Sequence, residues 1–359
     1  MRGGRRVWLL AGGVMALAAS LGSVCWIGLQ RPADASTVTS GALAVVLLPR
    51  ADGSRLAVVD LASSRVVRRI ELRSLATDIA VDTSSGLVVG AQAGGFGPAI
   101  DRAASLTDVR TGAVRYVDLP VIDPGDVACV GGRAFLLHST LEASGTAFSV
   151  ADVASGRVTG SGNIPGPPGL WASAAGAIWS TGSDSAGRPS LRRIDSRTLC
   201  LSTFGLGGFL PTGLVEAGGR LLVLGTDDAS GQVTSGAVIA IDPGEGTAVA
   251  RGTVVGLARS PQCAVQIGGR LVLGDWNGDE PEGRVLRLLD ATTLHDLGSL
   301  GVDGIPCALA AWGDRLLVVD RERGRLLVVD PATGRTTSAI ELGERDLVFS
   351  DVVVVGERK

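Results

Sequence analysis

The chain is poor in the residue types that most often carry chemistry. Among 359 residues there are two histidines, His138 and His295, one tyrosine, and a single lysine, Lys359 at the C-terminus. Two histidines leave little for imidazole catalysis or a His-rich metal centre, and the absence of CxxC removes the usual zinc signature. No run of Lys or Arg interrupts the chain. Beyond the first 35 residues, 29 basic and 35 acidic side chains remain, so the body is net acidic. That balance argues against a nucleic-acid backbone as partner. Helical periodicity is missing too, since past residue 40 no long stretch keeps a 3.6-residue apolar repeat. Glycine (52 residues) and apolar side chains (45%) are plentiful, enough for a large core and too hydrophobic for disorder.

One long apolar run stands at the start. Arg2, Arg5 and Arg6 precede the uncharged residues 7–29, which Gln30 and Arg31 terminate. As a helix this run reaches about 34 Å, enough to cross a bilayer, and its basic flank places the remainder outside the cytoplasm. Ala33-Asp34-Ala35 offers a small-x-small cleavage pattern before Ser36. Residues 1–35 therefore read as a signal peptide or an uncleaved membrane anchor with linker. Residues 36–359, ordered from about 41, read as a secreted or membrane-anchored extracytoplasmic body. Gly22-Ser23-Val24 before Cys25 is a poor lipidation signal. The body's four cysteines, Cys129, Cys200, Cys263 and Cys307, are widely spaced and at least two lie in apolar runs. Small buried hydrophobes are the preferred reading over disulfides.

The body repeats. Mostly apolar runs end in Asp at Asp60, Asp108, Asp152, Asp195, Asp242, Asp290 and Asp330, with separations of 48, 44, 43, 47, 48 and 40 residues. Three positions later stand Ser63, Thr111, Ser155, Thr198, Thr293 and Thr333; four positions later stand Gly112, Gly156, Gly246 and Gly334. An Asp carboxylate can accept N–H groups two and three residues ahead, and a residue at positive φ closes the turn. A second, Gly-bearing hairpin precedes each of the last six turns: Ser85-Gly86, Gly131-Gly132, Ala175-Gly176, Gly218-Gly219, Gly268-Gly269 and Trp312-Gly313. Each repeat thus predicts four short antiparallel strands, a to d. Seven such units give an all-β, seven-bladed β-propeller behind an N-terminal hydrophobic helix. The final blade is shared, with the run 346–355 expected as the innermost strand of the blade begun by residues 42–48, 56–60 and 66–72.

The stretch Arg315-Leu316-Leu317-Val318-Val319-Asp320 continues into Gly324-Arg325-Leu326-Leu327-Val328-Val329-Asp330-Pro331-Ala332-Thr333-Gly334. Together with Ser338-Ala339-Ile340-Glu341-Leu342-Gly343, it resembles the YVTN-type seven-bladed propellers, and residues 41–72 are similar. The resemblance covers about 41–359. It implies a propeller architecture and an extracytoplasmic binding scaffold or, in relatives, an enzyme.

In such a meander the a–b and c–d hairpins share one face and the b–c connections emerge on the other. The b–c set is long and individual: residues 91–103, 139–146, 183–189, 225–235 and 274–283. Binding is expected there. Asp275, Asn277 and Asp279 alternate around Trp276 as oxygen ligands do in calcium loops, although Glu280 replaces the required Gly. Calcium is the one cofactor suggested. Asp227, Asp228, Asp320, Arg321 and His138 are further candidate ligand-binding residues near that face. Asp78, Asp126 and Asp346 stand at comparable starts of innermost strands. They are either structural N–H acceptors or, if they converge, a cation site at the channel mouth. The expected function is a non-catalytic scaffold for a protein, peptide or glycan of the cell envelope, touching membrane only through the N-terminal segment. The alternative is a lactonase-like or other metal-assisted hydrolase.

Overall fold

The computed structural model describes residues 41–50, 52–93, 101–142, 145–166, 169–184, 186–227, 236–254, 263–274, 285–347 and 350–356, without the side chains of 140–142 and 227. The chain divides into two units, Met1–Ser36 and Thr37–Lys359. The second consists of seven four-stranded antiparallel sheets.

The first blade unites both ends of the body: β1 (Leu43–Arg50), β2 (Gly53–Asp60) and β3 (Arg65–Leu72) with β28 (Val352–Val355) innermost. Blade two is β4 (Ala76–Asp82), β5 (Leu87–Gln92), β6 (Ala103–Asp108) and β7 (Ala113–Asp118). Blade three is β8 (Pro124–Val130), β9 (Arg133–Glu142), β10 (Gly145–Asp152) and β11 (Arg157–Ile164). Blade four is β12 (Trp171–Ala174), β13 (Ala177–Ser183), β14 (Pro189–Asp195) and β15 (Leu201–Gly205). Blade five is β16 (Phe209–Ala217), β17 (Arg220–Asp227), β18 (Gly236–Asp242) and β19 (Thr247–Val254). Blade six is β20 (Cys263–Ile267), β21 (Arg270–Gly274), β22 (Val285–Asp290) and β23 (Asp296–Gly301). Blade seven is β24 (Pro306–Trp312), β25 (Arg315–Asp320), β26 (Arg325–Val329) and β27 (Thr336–Glu341). The innermost strands touch in sequence around the ring, β4 to β8 to β12 to β16 to β20 to β24 to β28 and back to β4. The circle is closed.

The repeated Asp builds the turns as its spacing implies. Asp60 Oδ1 accepts the N–H groups of Ala62 and Ser63 at 2.9 and 3.1 Å, and Asp195 and Asp290 do the same two and three residues ahead. At the fourth position every one of the seven turns takes positive φ: Gly112, Gly156, Gly246 and Gly334, but also Ser64 (52°), Leu199 (60°) and Leu294 (58°). Leu294 is buried and supports a cluster shared with Leu271, Leu273 and Leu289. Packing at that site sets against a left-handed backbone that costs an L-residue about 1–2 kcal/mol. The a–b turns at Gly131-Gly132, Ala175-Gly176 and Gly218-Gly219 have both residues at positive φ, the handedness that matches strand twist. In blade seven Trp312 pairs with Arg315, so the apex is Gly313-Asp314 rather than Trp312-Gly313.

The core lies between blades. Residues of β1, β2 and β28 face blade seven on one side (Ala44, Val46, Val352 against Leu317 and Val319) and blade two on the other (Leu43, Val45, Val355 against Ile79 and Val88). Closure is shorter than the run 346–355 suggests. Asp346 has φ +52°, which breaks the extended chain, and Leu347 is buried with its N–H on Arg321 O at 3.0 Å. Strand pairing begins at Val352, opposite Val46, and ends with Val355 opposite Leu43.

Candidate functional site

The face carrying the b–c connections is not a set of loops on apolar roots. At the outer end of strand b in blades two, three and seven, a buried polar side chain braces the connection. Gln92, opposite Ala76, donates from Nε2 to Ser105 Oγ at 3.2 Å, while its Oε1 accepts from Ser74 Oγ at 3.0 Å. His138, opposite Pro124, is fully buried; its Nδ1 lies 2.9 Å from Ile122 O and its Nε2 2.8 Å from Ser149 Oγ. Asp320, opposite Pro306, accepts Ile305 N–H at 3.2 Å and two bonds from Arg325, at 3.2 and 2.8 Å. Gly304 is needed there, because a Cβ would lie 2.4 Å from Asp320 Cγ.

Two predicted face residues, His138 and Asp320, are therefore internal ties. The Ser139 side chain is not the partner of His138; its N–H donates to Asp123 O at 2.8 Å. Arg321 is half-buried, with its N–H on Ile305 O at 2.8 Å. Asp227 ends β17 opposite Phe209. Asp228 and the whole calcium-like group, Asp275, Trp276, Asn277 and Asp279, lie outside the described residues. Residues 139–146, read from sequence as a loop, are largely strand: β9 and β10 continue to a Glu142–Gly145 pair across a bulge. Trp171 packs between blades three and four, its ring 6.0 Å from Phe148.

At the root of the 91–103 connection, Arg73 holds Asp101 through two bonds of 2.9 and 2.8 Å and lies over Tyr116 at 4.4 Å. Burial alone would raise the Asp101 pKa, but Arg73 and Ser74 hold it below the ordinary value.

On the inner strands, three carboxylates from consecutive blades meet: Asp351 before β28, Asp78 on β4 and Asp126 on β8. Two of them reach the backbone of the next blade: Asp78 Oδ2 accepts Val127 N–H at 2.8 Å, and Asp126 Oδ2 accepts Trp171 N–H at 3.1 Å, while Asp351 Oδ1 accepts Val352 N–H at 2.7 Å. Asp78 stands beside both other carboxyls, and like charges that close disfavour joint ionisation. All three pKa values are raised. Burial is the leading cause in each, with Asp126 adding to it at Asp78; Asp351, beside Asp78, is pushed up to about 7. The third member is thus Asp351 and not Asp346, which is exposed. A sequence signal existed: Ser350-Asp351-Val352 repeats the small-Asp-branched pattern of Thr77-Asp78-Ile79 and Gly125-Asp126-Val127. The same register holds Leu170 in blade four and Ala308 in blade seven, so the acidic run ends on an apolar residue at each side. Among the described residues, no three His, Cys, Asp or Glu side chains are placed to hold one metal ion. The described cysteines are free thiols, and burial raises the Cys129 and Cys307 pKa well above the ordinary value, which makes both unreactive.

A cavity of about 620 Å³ opens on the variable face at blade four, lined by Pro165, Gly166, Ser183, Asp184, Arg192 and Thr203 among others. Arg192, on β14, is 2% exposed. Among the described residues its side chain makes one hydrogen bond, from Nη2 to Ser183 O. Sequence reading passed over it as part of a strand. The available signal was its register: three residues before the turn Asp, the other blades carry Ala57, Ser105, Ser149, Ile239, Arg287 and Leu327, mostly small or apolar.

No protein-family model and no curated protein matches the sequence. Solved structures match the fold. A functionally unknown protein from Desulfotomaculum acetoxidans superposes with TM-score 0.64 at 13% identity, over 88% of this chain and 99% of its own. Hydrazine synthase from Kuenenia stuttgartiensis gives 0.60 at 13%, over 78% and 90%. Apo AztD from Citrobacter koseri gives 0.57 at 13%, over 89% and 100%. At such identity the likeness carries architecture alone. The chain is a seven-bladed β-propeller of four-stranded blades, latched by its C-terminal strand.

Proposed function

We propose that the protein is an extracytoplasmic YVTN-type propeller that works as a binding scaffold. It takes a protein, peptide or glycan of the cell envelope on the face where the b–c connections emerge. The supporting observation is the inequality of the two faces. One is paved with the same Asp turn seven times, whereas the other rests on braces that differ among blades two, three, four and seven: Gln92–Ser105, His138–Ser149, Arg192–Ser183 and Asp320–Arg325. A rigid ring that spends buried polar groups on individual loop roots is suited to presenting those loops in fixed geometry. The leader-like residues 1–35 favour the envelope as the place of action.

A metal-assisted hydrolase would draw on Asp351, Asp78 and Asp126. Their ties to neighbouring backbone N–H groups favour an interlocking role. The test is capture from envelope extract by the detergent-solubilised full chain, beside a variant with residues 228–235 replaced by a Gly-Ser linker, with metal analysis of the same protein. A partner held by the first and lost by the second supports the scaffold. A stoichiometric divalent ion with no partner would move the assignment to the hydrolase.

A further inference from the structure

Arg192 differs from three arginines near the roots of this face, each of which pairs with a carboxylate. Arg325 pairs with Asp320 at 2.8 Å, Arg55 with Glu71 at 2.6 Å and Glu344 at 2.9 Å, and Arg73 with Asp101 at 2.8 Å. Arg192 is more deeply buried than any of them, yet no carboxylate of the described residues lies within ion-pair distance of it. Asp184, which lines the same cavity, is already taken: Arg188 pairs with it at 2.8 Å, and the N–H groups of Ala186 and Arg188 donate to its Oδ1 at 2.8 and 2.9 Å. Burial consequently lowers the Arg192 pKa with no anion opposing the shift. An enclosed charge is costly to keep unless something pairs with it.

The guanidinium lines the cavity wall, in space that two glycines leave for it. A Cβ on Gly182 would stand 2.4 Å from Nη1, and one on Gly166, at φ +88°, would stand 3.2 Å from Nη2. Glycine at both places leaves room around the charged group. The cavity beyond falls within the roughly 300–1,000 Å³ range of small-ligand sites. Its rim carries the Thr203 hydroxyl from the cross-strand partner of Arg192.

We infer that this cavity binds a carboxylate-bearing group, received by the unpaired Arg192 guanidinium at the junction of blades three and four. The charge count selects the class. Arg188 is neutralised by Asp184, so the cavity offers one net cation, which suits a planar monoanion better than a doubly charged phosphate. A peptide C-terminus, an acidic side chain and a uronic acid all present that group. The inference rests on the scaffold reading above and names what one blade of that face recognises.

The experiment uses the full chain and follows its thermal unfolding and calorimetric titration at constant ionic strength. The probes are sodium glucuronate, N-acetylalanine, N-acetylalanine amide and inorganic phosphate. Both carboxylates are expected to raise the melting temperature and the amide to leave it unchanged. Arg192→Met should weaken carboxylate binding at least tenfold while folding normally, because it removes an unpaired buried charge. Thr203→Glu is the second variant. Its position is exposed and directly opposite Arg192, so a tethered carboxylate there should raise the melting temperature of the free protein and abolish the response to both probes. Equal protection by the amide, protection by phosphate alone, or an undiminished response in Thr203→Glu would each overturn the assignment. Envelope capture is scored separately. A partner retained by both variants would sink this inference and leave the scaffold standing.

Discussion

The Asp351 carboxyl lends itself to a quantitative test, because it lies on the strand that closes the ring. Its pKa is raised from 3.8 to about 7, first by burial and then by the neighbouring Asp78. The folded state therefore holds a proton that the unfolded chain releases. Stability from this group is full below the ordinary value and falls as pH rises through about 7, since the folded protein binds more protons across that window. At 1.36 kcal/mol per pKa unit, the whole shift corresponds to about 4 kcal/mol. Asp78 and Asp126, raised by burial, act with the same sign. Carboxylates held below the ordinary value, such as Asp82 and Asp101, titrate in stronger acid and leave the range above pH 5 undisturbed. Asp351→Asn keeps an oxygen for the Val352 N–H and removes the ionisation. Urea unfolding followed by tryptophan fluorescence, at half-unit steps from pH 5 to 8, should show wild-type stability declining and the variant declining less. A wild-type curve that is flat or rises, or a variant with the full wild-type slope, would refute the reasoning.

Further outcomes follow from the geometry. Ser64→Gly should raise stability by up to about 1 kcal/mol in a thermal melt, since the φ of +52° costs a serine and not a glycine. Gly324→Ala should be severely destabilising, about 3 kcal/mol or more, because the new Cβ would fall on Glu344 O in a backbone already at φ +63°. Asp320→Ala leaves the Ile305 N–H unpaired and Arg325 with Asp303 alone, and chemical denaturation should register a loss of about 2 kcal/mol. Deleting residues 346–359 removes β28 and bares β1, and calorimetry should find no cooperative transition.

Architecture was legible because it is repeated. Asp at the end of strand c leaves its mark seven times, and a positive-φ residue four places on is required whether or not it is glycine. Leu199 and Leu294 hid the rule at two turns, since packing overrides the local preference there. Individual side chains were less legible, for a physical reason. A polar residue at the end of a strand next to a loop looks solvent-facing in sequence, yet Ser149 and Ile122 draw His138 inward, and Arg325 does the same to Asp320. The Asp346 assignment missed by five residues because a single left-handed backbone at Asp346 delays the strand, a feature no periodicity reports. Arg192 went unnoticed because its meaning depends on which partners are missing, and only coordinates reveal that.

The central claim is that both ends of the body form one blade and so lock the ring. Hydrogen exchange tests it most directly, read at the amides of Val352–Val355 on β28 and of their partners Leu43–Val46 on β1. Exchange governed by the same free energy as the inner strands β4 and β16 is the predicted result. Early, local exchange of β28 while the other blades stay protected would contradict it.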